Sequence, residues 1–234
     1  MEHPGVSFLH PNSDDNIAFL TGEDIVHAPV DFINLINELG VASSKAQGLK
    51  RVITTYSEVS GSDNHLYIKV SDDGKSAIGF CKVGYRRLFL WDHLGEQHEL
   101  NLLCLLDFYV CSQIQRRGYG KQLIDRMLKD ENIEMKNIPI DSPSRLCLAF
   151  MKKHFGFENY IHQNNHYVVF DQFWETLKLP NSNSNLIKGN HNIAMTPPRA
   201  QISPIVNSTT LPQVAQTPSK KKQHYNPITW EPID

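Results

Sequence analysis

Residues 99–110 read ELNLLCLLDFYV, an almost unbroken apolar run. A strand with one wet face alternates apolar and polar residues; this one is apolar on both faces, so it belongs at the centre of a sheet covered on both sides. That requirement organises the rest of the chain. Upstream, HLYIKV alternates as a strand, SDDGK is a turn, and SAIGFCKVGYRR and LFLWD read as the next strands of a meander. Earlier still, DFINLINELGVASSKAQGL sets Phe32, Leu35, Ile36 and Leu39 at helical spacing, with Asp31 as the cap. Downstream come a helix from about Tyr119 to Lys129, a short strand NIPID, a second helix from about Pro143 to His154, and a late strand HYVVF. The expectation is an α+β fold with a mixed, mostly antiparallel central sheet flanked by helices.

The 234 residues carry a formal charge of −2, unevenly spread. From Pro180 onward five Lys/Arg outweigh two acids, so the chain before it carries −5. That is not the profile of a nucleic-acid binder, which shows a basic face. No run of eighteen apolar residues exists, so no membrane-spanning helix is expected. The start, MEHPGVSFLH, has no apolar stretch of the kind a secretory signal needs. Cys81, Cys104, Cys111 and Cys147 make no CxxC pair and no zinc spacing, which reads as reduced thiols and no metal. Eight of the thirteen prolines fall in 180–234, a stretch without apolar period that cannot offset its ordering entropy by burial. The expected division is a folded domain, 1–179, and a disordered Pro/Asn/Ser-rich tail, 180–234. In the tail, Thr196-Pro197, Ser203-Pro204 and Thr217-Pro218 fit either proline-directed phosphorylation or plain Pro-rich composition. Lys220–Lys222 fit an acidic contact or a solvated charge run equally well.

Directly after the apolar strand, QRRGYG (115–120) leads into a helix. The first N–H groups of a helix lack intrahelical partners, and the helix dipole adds about half a positive charge there. Gly118 and Gly120 let backbone approach a ligand without a Cβ, and Arg116, Arg117 and Lys121 add charge. This is a pyrophosphate site in outline. It is neither the G-x-G-x-x-G dinucleotide fingerprint nor a P-loop. It fits Q/R-x-x-G-x-G/A, from Gln115 to Gly120, the acetyl-coenzyme A signature of GNAT acetyltransferases. Further segments strengthen the likeness: ELGVASSKAQGL (38–49), GFCKVGYRRLFLWD (79–92), LCLLDFYVCSQIQRRGYG (103–120) and IDSPS (140–144). Together they resemble the α-tubulin N-acetyltransferase family over roughly residues 30–175.

The resemblance implies an acetyl-CoA-dependent enzyme that acetylates a lysine on α-tubulin, in a loop facing the microtubule lumen. It implies a monomer in the cytoplasm and on the microtubule cytoskeleton, axonemes or neuronal processes included. Two other classes stand beside it: a microtubule-binding protein with a non-catalytic structural role, and a GNAT acting on another protein lysine. Cys104 and Asp141 match the family's catalytic pair, and Gln47 matches a glutamine the family needs for activity. On residue type alone, Cys104 reads as a buried hydrophobe, Asp141 or Ser142 as the cap of the helix opening at Pro143, and Gln47 as a surface amide. Strand alternation places Cys104 on one face with Leu102, Leu106 and Phe108, and Leu103, Leu105, Asp107 and Tyr109 on the other. Asp107 reads as a structural acid that needs a partner.

With the family match, Asp141 is the expected base. Cys104, with an intrinsic pKa near 8.5, is expected to share that role or to protonate the leaving thiolate. Phe108, Tyr109 and Val110 are expected along the pantetheine arm, and Gln115, Arg116, Arg117, Gly118, Tyr119, Gly120 and Lys121 around the diphosphate. Ser144, Arg145 and Lys153 point toward the ribose phosphate and Phe150 toward apolar parts of the cofactor. Lys82, Arg86 and Arg87 form a basic hairpin that either docks on acidic tubulin or is a solvated strand edge. Ser142 is expected in substrate contact. The chain departs from the family's DRPSxK with DSPSRL: Ser142 replaces the arginine and Leu146 the lysine, with Arg145 placed to compensate.

Overall fold

A computed structural model describes residues 3–177. The tail boundary, its three Ser/Thr-Pro pairs and Lys220–Lys222 all lie outside the described residues. Seven strands form one sheet: β1 (Ile17–Thr21), β2 (His65–Val70), β3 (Ala77–Trp91), β4 (Gln97–Val110), β5 (Ile140–Asp141), β6 (Tyr160–His162) and β7 (Tyr167–Phe170). Their order is β1-β2-β3-β4-β5-β7-β6, which puts the apolar run, β4, in the middle. Every pairing is antiparallel except β4 with β5.

The long helix α2 (Val30–Gln47) follows two short elements: a 3-10 turn at Pro4–Phe8 and the single turn α1 (Gly22–Ile25). Its N-cap is Pro29, not Asp31, which lies inside the first turn. Proline fits there because its missing N–H costs nothing at a helix start. After α2 come α3 (Tyr56–Val59), then α4 (Tyr119–Asp130), α5 (Arg145–Phe155) and α6 (Asp171–Leu177). Leu123, Ile124 and Met127 of α4 and Met151 of α5 pack on Cys81, Val83, Leu103 and Leu105. The opposite sheet face is shared. Phe32, Leu35 and Ile36 of α2 cover Leu66, Ile68 and Phe80, while Phe173 and Trp174 of α6 cover Leu88, Leu90, Leu102 and Cys104. Each such aromatic or branched residue, once buried, contributes about 1.5–3 kcal/mol.

Two departures from the simple strand reading position the site. First, β3 is one strand of 15 residues, not two. No turn residue interrupts it, and Gly84 inside it is needed for close packing: a Cβ there would lie 2.3 Å from Asn64 Oδ1. Second, β4 carries a bulge. Lys82 opposes Asp107 and Val83 opposes Leu105, so Leu106 has no partner on β3. One extra residue inverts the alternation downstream. Phe108 and Val110 therefore join Leu103 and Leu105 on the α4–α5 face, and Phe108 does not share the Cys104 face as alternation alone predicts.

Candidate active site

Strand β5 pairs with β4 only at Ile140 and Leu105, held by the Leu105 N–H bond to the Pro139 carbonyl (2.9 Å). Beyond that pair the two strands separate at the bulge. A narrow gap opens between them, walled by Leu106, Asp107 and Phe108 on one side and by Asp141, Pro143 and Ser144 on the other. It adjoins a cleft of about 430 Å³ between the end of β4, the start of α4 and one side of α5. Phe108, Tyr109, Val110, Gln115, Arg116, Gly120, Ser144, Phe150 and Lys153 all line this cleft, along with Gln47 at the end of α2.

The start of α4 leaves its first N–H groups open. Gly118 is its N-cap at φ 90°, with no side chain capping the first N–H groups and no acid in the first turn. Only glycine enters that backbone region without strain. By contrast α1 and α5 are capped by the hydroxyls of Thr21 and Ser144. Gln115 Nε2 donates to the Val110 carbonyl (2.9 Å) and fastens the turn to the strand end. At Gly120 an added Cβ would meet Phe108 Cζ at 3.1 Å and Phe150 Cε2 at 3.3 Å. The two rings form the cleft's apolar floor, with centroids 5.2 Å apart.

The remaining members of the expected cofactor set stand outside the cleft lining. Lys121 Nζ is held by both Asp125 oxygens (2.6 and 2.7 Å), and the Tyr119 ring receives the Lys69 ammonium 5.5 Å from its centroid. Arg117 and Arg145 are exposed. The α5 cap is Ser144, whose Oγ accepts from the Cys147 N–H (3.2 Å), so neither Asp141 nor Ser142 serves there.

Two carboxylates line the gap. Asp107 is buried and saturated: Oδ1 accepts from Ser43 Oγ (2.8 Å) and Gln47 Nε2 (2.9 Å), and Oδ2 from Thr54 Oγ1 (2.6 Å). Gln47 is thus no free surface amide; it also donates to Ser43 Oγ (2.9 Å). Asp141 is half-buried and accepts one hydrogen bond, from Ser142 Oγ (2.9 Å). Ser142 sits at φ 42°, a costly conformation for a residue with a Cβ.

Cys104 lies on the α6 side of the sheet, buried, its Sγ donating to the Leu102 carbonyl (3.3 Å). Burial pushes the thiol up to about 12, the Asp141 charge adding to the effect and Arg86 opposing it. At that value about one thiol in 10⁵ is ionised at pH 7. That weighs against a share in the base role, and Cys104 lines neither the gap nor the cleft.

The basic hairpin also reads differently in three dimensions. Lys82 is buried, donating through Nζ to the Ile53 carbonyl; burial lowers its pKa, with Asp107 opposing. Its long stem hid this in the sequence, since an inward lysine and an outward one look alike. Arg86 donates to Asn64 Oδ1 and the Tyr85 carbonyl (both 2.7 Å). Only Arg87 is fully exposed, and it pairs with Glu99. Residues that line the site without being assigned to it from sequence include Cys147 and His154 on α5, and Leu146, noted as a departure from the family, lines it too. Cys147 and His154 follow from the helical period of α5 once Ser144 is known to be its cap.

Residues 15–199 match the family described as GNAT acetyltransferase, Mec-17. The chain belongs to that family. Among curated relatives of this Mec-17 chain, the α-tubulin N-acetyltransferase of Tetrahymena thermophila is 44% identical over 142 residues, 61% of this chain and 35% of the relative. α-Tubulin N-acetyltransferase 1 of Danio rerio is 42% identical over 146 residues, 61% and 49% of the two chains. The Aedes aegypti α-tubulin N-acetyltransferase is 37% identical over 153 residues, 64% and 56%. The chain thus spans between about a third and somewhat over half the length of these relatives. The match to the Mec-17 family covers the whole gap and cleft, from α2 to α5.

Proposed function

We propose that this protein is a lysine N-acetyltransferase that moves the acetyl group of acetyl-CoA to a lysine side chain of α-tubulin in microtubules, at the lumen-facing loop. The observation that carries the reading is the gap at the Leu106 bulge, which joins the cleft at the uncapped start of α4 to the carboxylate of Asp141. Family membership supports the chemistry, and the names of the relatives support the substrate.

In this reading the diphosphate rests on the N–H groups after Gly118, with Arg116 beside it. The pantetheine arm follows Phe108, Tyr109 and Val110, where β4 has lost β5 as a neighbour, and Phe150 takes the apolar contacts. Ser144 and Lys153 face the ribose end. The acetyl group then enters the gap. A free lysine has a pKa near 10.4, so about 0.04% is neutral at pH 7. Asp141 accepts the proton that the amine must lose. The nitrogen attacks the thioester carbonyl, the C–N bond forms and the C–S bond breaks, and the departing thiolate takes a proton from solvent. A β4 backbone N–H freed at the bulge stabilises the charge on the carbonyl oxygen. Cys104, protonated, stays buried in the α6 layer as a neutral neighbour of the site. Gln47 and Asp107 hold the end of α2 against the gap. Action would be in the cytoplasm on the microtubule polymer, by a catalytic unit within residues 1–179.

Purified protein incubated with microtubules and radiolabelled acetyl-CoA tests this. Label should appear on α-tubulin lysine. Absence of transfer, in a sample that calorimetry shows to bind acetyl-CoA, overturns the reading.

A further inference from the structure

Tyr167 opens β7 directly opposite Asp141 in the β5–β7 ladder. Residues opposed across antiparallel strands share a face, with Cβ atoms about 4.5–5.5 Å apart. The phenol therefore stands beside the Asp141 carboxylate and packs in the same layer as Cys104 and Leu106. Only 8% of it is exposed. A buried tyrosine hydroxyl ordinarily finds a partner. This one makes no hydrogen bond to a described residue and is not fully enclosed, so it is open to solvent with carboxylate, thiol and guanidinium around it.

Burial raises the phenol's pKa, the charges of Cys104 and Asp141 adding to the rise and Arg86 opposing it. The group is thus a neutral hydrogen-bond donor throughout the working pH range and a poor source of protons. The surface above Cys104 offers one anionic acceptor, Asp141, and an unused donor, Tyr167. A free alkylamine satisfies only the first. A lysine within a peptide satisfies both, with its ammonium for the carboxylate and main-chain carbonyls for the donor.

We propose that the Tyr167 hydroxyl donates a hydrogen bond to a main-chain carbonyl beside the acceptor lysine. Tyr167 is then a substrate-positioning residue that favours a peptide-borne lysine over a free amine. The inference rests on the acetyltransferase reading above and adds how that site recognises its acceptor.

Tyr167→Phe keeps the ring and its packing, and an unchanged melting temperature would show the fold intact. Two acceptors are compared, an α-tubulin lysine peptide and n-butylamine, and peptide affinity is measured by calorimetry with coenzyme A present. Loss of one neutral hydrogen bond raises the peptide KM and Kd roughly 3- to 10-fold. The kcat should stay within about twofold, as expected for a contact made equally in ground and transition states. Transfer to n-butylamine and acetyl-CoA affinity should not change. Unaltered peptide KM and Kd, equal losses with both acceptors, or no peptide binding by the wild type would overturn the proposal. If the wild type binds peptide but transfers nothing, the enzymatic reading fails, while the ratio of the two Kd values still decides the role of Tyr167.

Discussion

On the β4 wall of the gap, Asp107 has three donors anchored on α2 and the segment after it, and its side chain has no freedom left. On the β5 wall, Asp141 has one bond to the hydroxyl of its sequence neighbour and is half-exposed. The same functional group is a fastener on one wall and an available acceptor on the other. The supporting elements explain the difference. The β4 wall is backed by an 18-residue helix, whereas the β5 wall is a two-residue strand followed by a strained serine. Anchoring and openness are divided between neighbours, so neither carboxylate has to provide both.

If that division holds, the two acids respond to substitution in different observables. Asp141→Asn should lower kcat/KM on microtubules by roughly 10²–10⁴-fold, the usual contribution of a positioned proton acceptor, with thermal unfolding nearly unchanged. A comparable loss of stability would erase the distinction. Asp107→Ala should do the reverse. It leaves three donors without their acceptor and removes the nearby charge that offsets the burial of Lys82, so urea unfolding should show about 3 kcal/mol of lost stability. A folded, fully stable Asp107→Ala protein would contradict the fastener role.

A smaller effect is expected where the cleft begins. Gly118→Ala places a Cβ at φ 90°. Strain of about 1–2 kcal/mol in the bound loop should weaken acetyl-CoA by about tenfold in calorimetry, leaving peptide affinity alone. Equal weakening of both ligands would mean that the loop supports the whole site.

The smallest effect lies at the other end of α4. His65 Nδ1 sits 2.6 Å from Glu131 Oε1, which also accepts from the Tyr67 hydroxyl (2.8 Å). The hydrogen bond to Glu131 raises the imidazole's pKa above its usual value, against partial burial. A raised folded pKa adds stability that is fully present below the ordinary histidine value, near 6.5, and is lost as pH climbs through the raised one. Melting curves of the wild type and His65→Gln should therefore differ most near pH 5.5 and converge toward pH 8.5. The gap should be below about 1 kcal/mol for a pair partly open to solvent. A difference that grows with pH would reverse the assignment.

Much of this architecture was legible from residue patterns, for identifiable reasons. The apolar run of β4 had to be central because nothing else in the chain could dry both its faces. Gly118 and Gly120 mark the turn into α4 because a side chain there would meet strain or the two phenylalanines. Other features left no trace. Within LLCLLDF every neighbour is apolar, so an extra residue at Leu106 changes no pattern that periodicity can detect, and Phe108 was assigned to the wrong face. Ser144 and Ser142 are equally good caps by residue type, and only the backbone path chooses between them. Lys82 and Tyr167 depend on distant partners, Ile53 in one case and Asp141 in the other, which no local window contains.

The unpaired Leu106 also limits how such a chain can change. Upstream of it the strand's even-numbered side chains serve the α6 layer; downstream, the even-numbered ones reach the cleft beside α4 and α5. Exchanging single amino acids can retune either chamber alone. Removing that one codon would leave Asp107 and Phe108 on their present faces but make the ladder regular, erasing the bulge at which β4 and β5 part. Lineages built on this strand should tolerate substitution along it far better than any shift in its length.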